Sequence, residues 1–269
     1  MSGSPERSYA PGPFGQIHYQ DTGEGDITLL LASQAPATSW QFERAYPLFH
    51  AAGIRAVGID TLGFGLSDAP PGPPSIADYA TSIIAVMDHL GLEAAHLCGH
   101  HTGSMIITEA ALSAPARIAS LILAGPVPLT LEERKAYIDS IVAEERAYEA
   151  KADGSHLADM FVRRLPWVRD MPDALALCSR YTIRTLMGSG PFWYGHHAAF
   201  NYDHGEAMQR LAQPALILTN TGDMIYPLAE LTRQLCPHFS YAELEGGGID
   251  IVDQDPAGWV AAIDRYLRD

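Results

Sequence analysis

The sequence predicts an α/β protein, a mostly parallel sheet with helices on both faces and a helical segment inserted ahead of its last strands. Three observations predict it. Short runs rich in Ile, Val and Leu alternate with longer stretches of helical period, the pattern of strands joined by crossover helices. The alternation stops after Gly125 and resumes near Ala215, with only helix-like sequence between. The length, 269 residues, suits one large domain with an insertion, because a core of that size buries most of its apolar surface.

"GQIHYQDTG" reads as an antiparallel entry strand closed by a turn through Gly23 and Gly25. The core strands are "ITLLLAS" from Ile27, "IRAVGID" from Ile54, "AAHLC" from Ala94, "IASLILAG" from Ile118, "ALILT" from Ala215 and "FSYAELE" from Phe239. Helices are expected over 40–52, 76–90, 102–112, 228–235 and 257–267, the last announced by "DQDP", which supplies carboxylate caps and a first-turn proline. "LEERKAYIDSIVAEERAYEAK" reads as one charged amphipathic helix opening the insertion. The layout is therefore a core over 1–125, a helical cap over 126–211 and the rest of the core over 212–269. Caps placed this way lie over the carboxyl edge of the sheet and close its pocket. The opening "MSGSPERSYAPGPFG" is expected to be a loose arm.

Composition excludes several function classes. Apolar residues make up 47%, and 17 basic against 32 acidic residues give a net charge of -15, which opposes phosphate backbones and anionic lipid. No apolar run is long enough to span a bilayer, and the start lacks a secretory layout. Cys98, Cys178 and Cys236, odd in number and far apart, argue for a reducing, cytoplasmic setting. No CxxC or HExxH spacing occurs, so no metal and no cofactor are predicted. The expected partner is a small-molecule substrate or ligand, not nucleic acid or membrane, with a homodimer left open.

The stretch "LCGHHTGS" places Gly99 and Gly103 two residues either side of His101. Small flanking residues let a helix pack against the preceding strand, while the central residue is held in strained backbone and pushed into a pocket. With "GIDTLGFGLSD" and "IADYATSIIAVMDHLGLEAAHLCGHHTGS" around it, the chain resembles the α/β-hydrolase superfamily over nearly its whole length. The resemblance implies a serine where His101 stands, with His100 as a supporting neighbour. It implies an acid in "LTNTGDMIYP", which is Asp223, although Asn220 replaces a usual glycine. It implies a histidine seven residues before Pro256, where Ile249 stands instead. Its oxyanion loop is commonly His-Gly, here Ala32-Ser33, though the backbone N–H groups of Gln34 and Thr102 could still form the hole.

A Ser-His-Asp relay needs a hydroxyl and an imidazole that takes its proton, and this sequence lacks both at the expected positions. Ser104, three residues into the helix, should face away from the pocket. His238 lies at the wrong end of the last strand, roughly 20 Å from the active edge. The substitutions fit a His101–Asp223 dyad acting as general base; the competing reading is a buried histidine filling a vacated pocket. Ser33, Trp40, Trp193, Tyr194, His197, Ile249 and Asp250 are the expected pocket residues, with Asp250 more simply explained by bonding its own backbone. Three functions follow. One is an enzyme using His101 for lyase, cyclisation, isomerisation, cofactor-free oxygenation or non-serine hydrolysis on a small apolar molecule. The others are an inactive small-molecule binding protein and a conventional esterase.

Overall fold

The computed structural model describes residues 4–269. One sheet holds eight strands: β1 (Glu6–Gly12), β2 (Gly15–Asp21), β3 (Ile27–Ala32), β4 (Ile54–Ile59), β5 (Ala95–His100), β6 (Ile118–Ala124), β7 (Ala215–Asn220) and β8 (Ser240–Leu244). Their order is β1-β2-β4-β3-β5-β6-β7-β8. β2 pairs antiparallel with β1 and β4, and every other pairing is parallel. The strands from β3 to β7 are buried almost throughout, which is why they read as continuous apolar runs rather than as alternation.

Helices α1 (Tyr46–Ala51), α2 (Ile76–His89) and α3 (Thr102–Ser113) connect the first parallel strands. Between β6 and β7 the chain runs through α4 (Leu131–Tyr137), α5 (Ala143–Arg146), α6 (Ser155–Val168), α7 (Ala174–Thr185), α8 (Tyr194–Phe200) and α9 (His204–Gln209) without a strand. α10 (Tyr226–Leu235), α11 (Ile251–Gln254) and α12 (Pro256–Arg268) complete the chain. One core packs Ile76, Tyr79 and Ile83 of α2 with Met105 and Ile106 of α3 against the sheet. The opposite face is covered by Tyr46 and Phe49 of α1 and by Trp259 and Ile263 of α12. Cys98, Cys178 and Cys236 are buried free thiols, and no helix among the described residues is long and apolar enough to cross a membrane.

Three expectations need correction. The opening is not a loose arm: Glu6–Gly12 pairs with β2 along its whole length and buries Ala10, while Met1–Gly3 lie outside the described residues. Pro11 is tolerated because β1 is an edge strand. The helix expected over 40–52 is two pieces, a 3₁₀ turn at Ser39–Phe42 with Thr38 at its N-cap, then α1 with a first-turn proline. The charged helix of the insertion starts at a Thr130–Glu133 capping box, widens into a π stretch over Ile138–Val142 and ends at Arg146, short of Lys151.

From β3 the chain crosses to β4 on one side, and β5 lies on the other. Connections therefore diverge at the carboxyl ends of β3 and β5, where an open α/β sheet forms its binding crevice. Ser33-Gln34 and His101 follow directly on those two ends.

Candidate active site

The elbow is built by close backbone approach. A Cβ on Gly99 would strike the Gly103 carbonyl, and one on Gly103 would strike the Ala32 carbonyl, so only glycine lets α3 sit against β5 and β3. His101 between them has φ 51 and ψ -112 and is the one non-glycine residue with positive φ among the described residues. Its N–H donates to Ala124 O at 2.8 Å, and its carbonyl accepts from Ser104 N at 2.8 Å and from Ser104 Oγ at 2.5 Å. Ser104 is thus a fully buried brace of the elbow.

His101 Nε2 lies 2.7 Å from Asp223 Oδ2, with side-chain exposures of 12% and 2%. Asp223 follows β7, and its other oxygen accepts from Ile225 N at 3.1 Å. Burial alone pushes the Asp223 carboxyl up. The hydrogen bond and attraction of His101 and the Ile225 N–H together outweigh it and hold the group below the usual carboxylate range. A carboxylate accepts only, so His101 donates to Asp223 through Nε2, and Nδ1 is the ring nitrogen that the contact leaves unused. Asn220, where a glycine was expected, donates through Nδ2 to Gly246 O at 3.2 Å and Gly248 O at 3.1 Å. It ties the acid loop to the glycine-rich loop that carries Ile249.

Gln41, absent from the sequence-based candidates, organises the other half of the site. The Gln34 N–H donates to Gln41 Oε1 at 3.1 Å, and Gln41 Nε2 lies 2.8 Å from His100 Nδ1. A backbone N–H can only donate, so the amide must present Nε2–H to His100, whose Nδ1 accepts and whose proton sits on Nε2. Burial and the neighbouring His101 and Arg164 charges hold His100 well below its ordinary value, outweighing the pull of Asp223. The Gln34 donor expected in the oxyanion hole is therefore already engaged, whereas the Thr102 N–H opens α3, where first-turn donors have no intrahelical acceptor.

One polar atom each of His100, His101 and Asp223 lies within 4.8 Å of the others, close enough by distance to hold a metal. The donor set does not fit. Gln41 takes the His100 lone pair, which leaves two ligands where a site needs three or more.

A cavity of about 550 Å³ separates the helical segment from the sheet edge. Gln34, Gln41 and Ile249 line it from the core, and Tyr148, Arg164 and Phe192 from the insertion. Several expected walls lie elsewhere. Trp40 lies outside the cavity, with the guanidinium groups of Arg7 and Arg184 over its ring at 4.2 and 4.9 Å. Trp193 meets Tyr194 edge-on at 4.7 Å and lies under Arg146, outside the cavity. Helical register turns His196 inward to Glu145 at 2.7 Å and sends His197 to a separate surface hollow with Asn201. Ser33 is buried in a small neighbouring space with Thr102. Asp250 does not bond its own backbone; it is buried against Arg164 of α6. His204 is a core histidine between Val127 N and Thr108 Oγ1, pushed down to about 3 by burial.

A strained elbow at the carboxyl edge of a doubly wound sheet, an acid after the next-to-last strand and a cavity under an inserted helical segment define a hydrolase-type architecture. The sequence profile of the α/β hydrolase fold matches residues 27–254, and the chain belongs to that family. A 2-hydroxy-6-oxononadienedioate/2-hydroxy-6-oxononatrienedioate hydrolase of Burkholderia vietnamiensis is 38% identical over 114 residues, 41% of this chain and 40% of that enzyme. A 2-hydroxy-6-oxo-6-phenylhexa-2,4-dienoate hydrolase of Comamonas testosteroni is 34% identical over 118 residues, 41% and 40% of the two chains. These matches span about two fifths of the length of either relative. A hydrolase from Pseudomonas aeruginosa has the same fold, with TM-score 0.81 at 20% identity over 97% of this chain and 98% of its own.

Proposed function

We propose that this protein is a hydrolase of small organic molecules in which His101, oriented by Asp223, activates water. The observation that carries the reading is the 2.7 Å contact between His101 Nε2 and Asp223 Oδ2 at the strained elbow. The hydrolase names of relatives that share part of the sequence support the reaction class. His101 Nδ1 takes a proton from water as the oxygen attacks the substrate carbonyl, and Asp223 stabilises the imidazolium. The carbonyl oxygen becomes an oxyanion facing the Thr102 N–H. When the intermediate collapses, the imidazolium returns its proton to the leaving group. No acyl-serine forms, and α4–α9 act as the cap.

Hydrolysis of a panel of p-nitrophenyl esters tests this. The wild type should turn over without a burst, His101→Ala should fall to background, and a fluorophosphonate should label no serine. The relatives' names also favour a second reading, a conventional serine esterase, and fluorophosphonate labelling of any serine with loss of activity would establish it instead.

A further inference from the structure

The Arg164–Asp250 pair uses less of each partner than its burial calls for. Arg164 Nη2 donates to Asp250 Oδ1, and the guanidinium lies over the Tyr181 ring at 4.0 Å. Asp250 is 1% exposed, yet its Oδ2 has no partner, and neither has the buried Nε of Arg164. A guanidinium and a carboxylate can make two parallel bonds, and this pair makes one. Arg164 is also a wall of the cavity. The other cavity cations are committed to solvent-exposed acids: Arg163 to Glu144, Lys151 to Asp159 and Arg184 to Glu43.

We propose that Arg164 docks the carboxylate of a small organic acid in the cavity, and that this ligand takes Arg164 from Asp250, which then accepts one proton from solvent. The inference rests on reading the cavity as the substrate site and adds the substrate's charge and a coupled proton. Once a second carboxylate shares the guanidinium, the more deeply desolvated of the two is the one that protonates. Burial already pushes the Asp250 carboxyl up against the pull of Arg164 and Tyr181. The groups facing Asp250 are Arg164 of α6, Tyr181 and Cys178 of α7, Asp253 of α11 and His101 of the elbow. Asp253 is itself an acid, and His101 is committed to Asp223, so nothing replaces the positive charge that Asp250 loses.

Isothermal titration calorimetry of the intact protein with benzoate and with neutral benzamide tests this, run at neutral pH in two buffers of different ionisation enthalpy. Benzoate should bind at least about tenfold more tightly than benzamide, with uptake of roughly one proton per benzoate. Equal affinities, no binding of benzoate, or a buffer-independent enthalpy would overturn the proposal, and none of these readouts needs a variant. Arg164→Gln should erase the preference for benzoate. Asp250→Asn should bind benzoate without taking up a proton, and proton uptake persisting in that variant would also overturn it. Repeating the titration with His101→Ala separates the two claims: retained benzoate binding keeps the carboxylate site whether or not the hydrolase reading survives.

Discussion

Gly125 offers a way to break the His101–Asp223 contact without touching either partner. It stands at φ +64 directly after β6, and a Cβ added there would lie 2.6 Å from His101 Cδ2, 2.9 Å from His101 Nε2 and 3.1 Å from Ile225 Cδ1. Carbon contacts settle near 3.5–4.0 Å, so in Gly125→Ala the imidazole must withdraw by about 1 Å. The bond to Asp223 starts at 2.7 Å, and a retreat of that size away from Asp223 takes it to about 3.7 Å, beyond useful hydrogen-bond geometry. A misplacement of about 1 Å in a catalytic group lowers the rate by about 100-fold. The left-handed backbone adds a stability loss of about 1–2 kcal/mol, a melting shift of about 2–8 °C. The assay is steady-state hydrolysis of p-nitrophenyl acetate beside a thermal melt, with kcat expected to fall and KM to change little. A folded Gly125→Ala protein with wild-type kcat would refute the role of the His101–Asp223 contact in the chemistry.

Other perturbations probe separate parts of the site. Asp223→Asn keeps the shape but removes the charge that steadies an imidazolium, and kcat should drop by about 10²–10⁴, read in the same ester assay. Gln41→Glu would accept from the Gln34 N–H and force His100 Nδ1 to donate; nitrogen NMR should show His100 changing tautomer or taking a second proton, and an unchanged Nε2–H form would contradict the assigned chain. His204 is held down to about 3 by burial, so its stabilising contribution is complete above its unfolded value of about 6.5 and is lost as pH falls toward the folded value, by about 1.4 kcal/mol per unit. Urea unfolding near neutral pH and about two units lower should show this loss in the wild type and a shallower one in His204→Gln. Asp250 and Asp253, raised by burial, act with the opposite sign, gaining stability as pH falls through their folded values. The acid limb of Asp250→Asn should therefore be steeper than that of the wild type.

What is legible in the sequence divides along a physical line. β3 to β7 are covered on both faces, so each strand advertises itself as a local apolar run. The elbow is legible because Gly99 and Gly103 answer a steric demand made by neighbouring backbone, and their spacing about His101 is local. β1 is not legible, because its placement depends on pairing with β2 rather than on its own apolar content, Ala10 being its one buried residue. Gln41 and Arg164 are invisible for the same reason: Gln41 meets His100 59 residues away, and Arg164 meets Asp250 86 residues away, with no periodic signature at either end. Positions that the sequence singled out separately are also linked through space. Asn220 braces the glycine-rich loop that carries Ile249, while Gln41, close to Ala32-Ser33, occupies the N–H of Gln34. On the proposed hydrolytic reading, an oxyanion at this edge would meet the Thr102 N–H without the Gln34 donor, which Gln41 already holds. Losing one such donor lowers kcat by about 10²–10³. On that reading, a His101–Asp223 dyad with so few backbone donors calls for a substrate whose carbonyl is already activated.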